Sequence, residues 1–148
     1  MPGQPKRIAL DSSYLIPLLC EWHIHHSRTR RSYQQLSGHA AHIILPAHAV
    51  LECYSVLTRI PPPHRLPSSA ARQLLEENFF NNATVAGVRP AEAWMVLQSL
   101  AALGLGGGRV YDAAIAHCAA AAGATVLFTW NTKHFASIAP PGLEIREP

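Results

Sequence analysis

The sequence predicts an α/β fold, a three-layer α/β/α sandwich around a short central parallel sheet. Short apolar runs without polar alternation, Ile8-Ala9-Leu10, Ile43-Ile44-Leu45 and Thr125 to Phe128, read as strands buried on both faces. Longer stretches with helical spacing of apolar residues separate them, and proline or glycine marks the joints. Right-handed crossovers then bring the strand carboxyl ends to one edge, where open α/β sheets bind ligands.

Taken in order, the first strand ends at Asp11-Ser12-Ser13, where one serine is expected to cap a helix with Tyr14, Leu15, Leu18 and Leu19 inward. A His- and Arg-rich helix follows, from about Ile24 to Leu36. After the second strand, Pro46 is placed in the first turn of a helix running from Ala47 to Ile60. Val50, Tyr54 and Leu57 share one of its faces, and His48, Glu52, Ser55 and Arg59 another. Pro61 to Pro67 reads as a loop, and Ser68-Ser69 as the cap of a helix reaching Phe80. Thr84-Val85-Ala86 is a weak strand. Pro90 and Glu92 open a helix that stops at Gly104, with Trp94, Val96 and Leu97 as core or a dimer face. The glycine-rich stretch to Arg109 delivers Asp112 at the head of an alanine-rich helix closed by Gly123. Leu143-Glu144-Ile145 is a plausible last strand.

At 148 residues and 49% apolar, the chain predicts a single domain, residues 1–148, with a real core. No run approaches a membrane span, and MPGQPKRIAL reaches charge too early for a signal peptide, so a cytoplasmic location is expected. Cys20, Cys53 and Cys118 are scattered, which points to neither a disulfide framework nor a thiolate zinc site. The net charge of +3, mostly arginine, is compatible with a polyanionic partner.

Asp11 and Asp112 are the chain's aspartates, and both fall where strands or helices meet the ligand-binding edge. Glu52, a turn and a half into its helix, leans toward the same edge. Asn131 follows the Thr125 to Phe128 strand after Thr129 and Trp130. Three carboxylates in one cleft repel unless a cation joins them. Oxygen ligands without thiolate select Mg²⁺ or Mn²⁺, whose retained waters serve as nucleophiles at phosphodiesters. The bland alternative makes Asp11 and Asp112 helix caps and Glu52 a solvated surface acid.

The stretches IALDSSYLI, LPAHAVLECYSVLTR and GRVYDAAIAHCAAAAGATVLFTWNTKHF, in that order, resemble the PIN domain, and more narrowly its VapC branch, the toxins of bacterial toxin–antitoxin pairs. That resemblance implies a PIN-like α/β/α sandwich and a metal-dependent ribonuclease with an acidic Mg²⁺ site. By it, Asp11, Glu52 and Asp112 match the main acidic positions, and Asn131 falls where many members carry a fourth acid. An amide there brings no charge, which puts a second metal in question. A homodimer and a cognate antitoxin that blocks the cleft are also implied. The alternative is a catalytically weakened PIN-like module that binds RNA or protein. Phosphatase and receiver folds with an Asp after the first strand fit poorly, because Ser13 and the missing adjacent acidic pair break their patterns.

The remaining signals are secondary. His23, His25 and His26 lack a spaced Cys or carboxylate and read as a solvated or RNA-facing surface. Arg28, Arg30 and Arg31 form a basic cluster suited to RNA phosphates or to solvating a face. His48 is expected to pack, and His117 and His134 to take core or capping roles. The hydroxyls of Ser12 or Ser13 and of Thr129 lie near the same edge and could orient a metal-bound water.

Overall fold

The structure, a computed structural model, describes residues 3–148. Five strands form one parallel sheet: β1 (Arg7–Leu10), β2 (His42–Pro46), β3 (Ala83–Ala86), β4 (Val126–Phe128) and β5 (Glu144–Arg146), in the order β3-β2-β1-β4-β5. Between β1 and β2 run α1 (Ser12–Leu19) and α2 (His26–Gly38); between β2 and β3, α3 (Ala47–Arg59) and α4 (Ser68–Phe79). Between β3 and β4 run α5 (Pro90–Ala102) and α6 (Arg109–Ala121), and α7 (Thr132–Ala136) precedes β5. The three-layer α/β/α sandwich expected from the sequence is the fold observed.

Period-two geometry splits the central strands between two cores. Ile8, Leu10, Ile43, Leu45, Val126 and Phe128 pack with Tyr14, Leu15, Cys53, Leu57 and Leu75 on one face. Ala9, Ile44 and Leu127 pack with Ile115, Ala116, Ala119 and Phe135 on the other. The alanine run of α6 works because small side chains let that helix sit close to the strands. Gly123 ends α6 at φ +81°, a backbone conformation that a side chain would strain.

Several local expectations change. The α1 N-cap is Asp11; both serines fall inside the first turn, past the capping position, and donate their hydroxyls to carboxylates. Pro67, not a serine, stands at the α4 N-cap, and Ser68 and Ser69 lie inside the first turn. Pro46 ends β2 and caps α3 instead of entering it. The His-rich helix begins only at His26 because residues 20–25 form turns, with the His25 N–H bonded to His23 Nδ1 (3.1 Å). Val96 is buried, whereas Trp94 (71% exposed) and Leu97 lie on the surface. Among the described residues no helix is long and apolar enough to cross a membrane.

Candidate active site

β1 and β4 are neighbours, with Leu10 opposite Phe128, so Asp11 and Thr129 leave the sheet side by side. In this strand order the crossovers from β1 and those reaching β4 lie on opposite faces, which opens a crevice between them. Asp11 sits in it, 3% exposed. Thr129 Oγ1 donates to Asp11 Oδ2 at 2.8 Å, and Ser13 Oγ lies 2.9 Å from the same oxygen. Each hydroxyl also accepts a backbone N–H: Asn131 to Thr129 Oγ1 (3.0 Å) and Trp130 to Ser13 Oγ (2.9 Å). The chain after β4 therefore hangs on the two hydroxyls that solvate the buried carboxylate.

Ser12 joins the second acid. Its hydroxyl, with one proton to give, donates to Glu52 Oε1 at 2.9 Å and stands 3.4 Å from Asp11 Oδ1. The other Glu52 oxygen lies 3.5 Å from His48 Nε2, and the His48 ring stacks on Tyr111 (centroids 4.6 Å, 5° apart). His48 thus packs, as expected, and also faces Glu52. This carboxylate is half-exposed yet held from two sides.

Asp112 lies in the first turn of α6 with its side chain 23% exposed. Its Oδ2 is 3.7 Å from Arg109 Nε and 3.7 Å from His134 Nδ1, too far for hydrogen bonds. Burial pushes the Asp112 carboxyl above its usual range, and the negative charges of Asp11 and Glu52 add to that; His134 and Arg109 offset part of it. Arg109 also reaches the His134 carbonyl and Ser137 Oγ, tying α6 to α7. Asn131 is exposed at the N-cap of α7, and its side chain makes no hydrogen bond among the described residues.

The arginines separate. Arg28 lies over the Trp130 ring (5.1 Å) and pairs with Glu147 at 3.2 Å, beside the site. Arg30 lines a depression with Leu18, Glu21, Tyr33 and Asn78, and Arg31 is exposed. His117 faces Glu92 at 3.5 Å, away from the acids. An open cavity of about 650 Å³ between α2 and the β1, β4 and β5 strands has none of the three acids in its lining. Arg109, three residues before Asp112 and so on its face of α6, was not among the expected site residues, and Trp130 and Tyr111 were expected only as parts of the family-like stretches.

Among the described residues no three His, Cys, Asp or Glu side chains are gathered into a ready-made metal cage. The donor chemistry nevertheless fits a hard divalent cation: the acidic groups offer only oxygens, and the like charge near Asp112 is only partly offset by His134 and Arg109. All three cysteines are buried, and burial raises their thiols, Cys53 to about 12.

Residues 8–139 match the PIN domain family. The chain belongs to that family. This PIN domain is 35% identical over 120 residues to Ribonuclease VapC40 of Mycobacterium tuberculosis, covering 81% of the chain and 84% of the relative. Two solved structures share the fold. VapBC2 from Rickettsia felis, bound to a DNA fragment from their promoter, superposes with a TM-score of 0.70 at 17% identity, covering 96% and 98% of the two chains. VapC20 of Mycobacterium tuberculosis, a Sarcin-Ricin loop cleaving toxin, gives 0.69 at 14%, covering 88% and 94%.

Proposed function

We propose that this PIN domain is a VapC-type toxin, an endoribonuclease that hydrolyses RNA phosphodiesters with Mg²⁺ or Mn²⁺ held by Asp11, Glu52 and Asp112. The observation that carries the reading is the Ser12 hydroxyl lying between Asp11 and Glu52, with Asp112 partly buried near enough that burial first, and then their charges, raise its proton affinity. Such a cluster costs folding energy unless a cation resolves it. When bound, the cation supplies Lewis acidity toward both the phosphodiester and water.

The chain's own residues set the geometry. Ser13 and Thr129 hold the Asp11 carboxylate in one orientation, and Ser12 and His48 do the same for Glu52. Arg109 and His134 flank Asp112, limiting its repulsion from the other two acids. Arg28, freed from Glu147, is placed to grip a phosphate, and Asn131 offers an uncharged amide at the mouth. The 35% identity to a named VapC ribonuclease supports the reaction class. A cognate antitoxin partner, a homodimer and a cytoplasmic location complete the proposal, the first in keeping with the VapBC complexes that share the fold. Cleavage of total RNA with Mn²⁺, Mg²⁺ or EDTA, beside Asp11→Asn and Asp112→Asn, tests it. Cation-dependent cleavage lost in both variants is the expected result. RNA or protein binding without cleavage in either metal would instead make this a PIN-like binding module.

A further inference from the structure

A line of flat rings leads away from the carboxylates along one flank. It begins at Trp130, whose backbone N–H is bonded to Ser13 and whose indole N–H donates to Thr29 Oγ1 at 3.0 Å. His25 stacks on Trp130 (centroids 3.8 Å, 12° apart), and His23 stands 5.6 Å from His25. Trp22 follows at 5.8 Å, and His64 stacks on Trp22 at 4.2 Å and 19°. These rings come from three segments that meet only in the fold: the α1–α2 turn, the loop after β4 and the proline-rich loop after α3.

The outer end of the line is solvent-facing. Trp22 is 47% exposed and His64 is exposed, and neither side chain makes a hydrogen bond among the described residues. Ile24, in the same turn, is 89% exposed. An indole resting on an imidazole in water is an unfinished stack. The mounts, by contrast, are fixed: the His64 N–H bonds Pro61 O at 3.2 Å, and Arg65 Nε bonds Ile60 O at 2.9 Å. His23 accepts the His25 N–H on Nδ1, and burial followed by its histidine neighbours lowers its pKa, so it presents a neutral face. Arg28, over Trp130, supplies a cation at the inner end.

We infer that this ring line is a stacking track for the bases of single-stranded RNA, which enter the carboxylate site along the Trp22–His64 flank. The inference rests on the nuclease reading and extends it to how substrate is held. Every base has a π-face, so the exposed Trp22 and His64 rings, continued by the partly exposed His23, His25 and Trp130, accept a strand irrespective of sequence, whereas paired bases in a duplex cannot reach them. Bases would extend or replace the His64–Trp22 stack while Arg28 exchanges Glu147 for a phosphate.

The test uses the full chain carrying Asp11→Asn, so that RNA is bound and not cut, with fluorescently labelled oligoadenylate as probe. Trp22→Ala is expected to weaken binding about tenfold or more, with the slope of affinity against salt unchanged, and Trp22→Phe to restore most of it. Arg28→Ala should instead flatten the slope. An oligomer of the same length with abasic residues keeps every phosphate and should bind the unaltered surface about as weakly as adenylate binds Trp22→Ala; this arm does not depend on a variant folding. Equal affinity for the adenylate and abasic oligomers, or a folded Trp22→Ala that binds like its parent, would overturn the track while leaving metal-dependent cleavage by the native chain standing. If no RNA is bound and none is cleaved, both readings fall.

Discussion

Two carboxylates on the packed helices α5 and α6 have opposite fates. Glu92 receives two guanidinium contacts and a backbone N–H from Arg89, with His117 at 3.5 Å, and Arg89 holds its carboxyl down at about 2. Asp112 is partly buried, faces the like charges of Asp11 and Glu52, and is pushed up. A carboxylate with its own cation is electrostatically complete and belongs to the scaffold. One left among other acids, with arginine and histidine standing just beyond bonding distance, is arranged for a charge supplied from outside.

Exchanging each acid for its amide gives the sharpest contrast. Asp112→Asn should lower RNA cleavage by about 100-fold or more while leaving the melting temperature level or higher, since repulsion is removed. Glu92→Gln should do the reverse, retaining cleavage per folded molecule but melting earlier. A matched pair of cleavage and melting curves checks both, and loss of stability in Asp112→Asn would break the distinction.

Thr129→Val comes next. It keeps the shape of a fully buried residue but leaves Asp11 Oδ2 and the Asn131 N–H each short of a partner, at a cost of about 1–3 kcal/mol in denaturant unfolding. Cleavage should fall as well, because Asp11 is no longer held.

A smaller effect is expected at the mouth. Asn131→Asp adds a charge to the unfinished cluster and should lower the Mn²⁺ concentration for half-maximal cleavage severalfold. An unchanged requirement would place residue 131 outside the cation's reach.

The smallest effect follows from acid titration. Because the folded-state pKa of Glu92 is depressed, its ion pair stabilises the fold above the ordinary carboxyl value of 4.5 and is lost as pH falls from there through about 2. The stability gap between the native chain and Glu92→Gln should close across that window. A gap that persists at the acid end would mean that packing, not charge, separates them.

The sheet and the common edge for the acids were legible because both follow from residue order. Uninterrupted apolar runs mark strands, and handed crossovers fix where Asp11, Glu52 and Asn131 emerge. The hydroxyl shell was only half legible. Ser13 and Thr129 are far apart in sequence, and nothing in spacing reveals that they share one oxygen of Asp11. The expected serine caps failed because the residue before each serine pair, Asp11 or Pro67, takes the N-cap position and leaves the serines inside the first turn. The Trp22–His64 stack was invisible because its rings sit in loops, where no period constrains them. The five-residue α7 was missed because it is too short to show a helical pattern.

Whether Asp11, Glu52 and Asp112 act on one cation is tested most directly by anomalous diffraction from crystals of the native chain soaked in manganese. The account predicts a manganese peak bounded by all three carboxylates, absent from Asp112→Asn crystals soaked alike. Manganese bound elsewhere, or an ion that ignores any of the three acids, would contradict it.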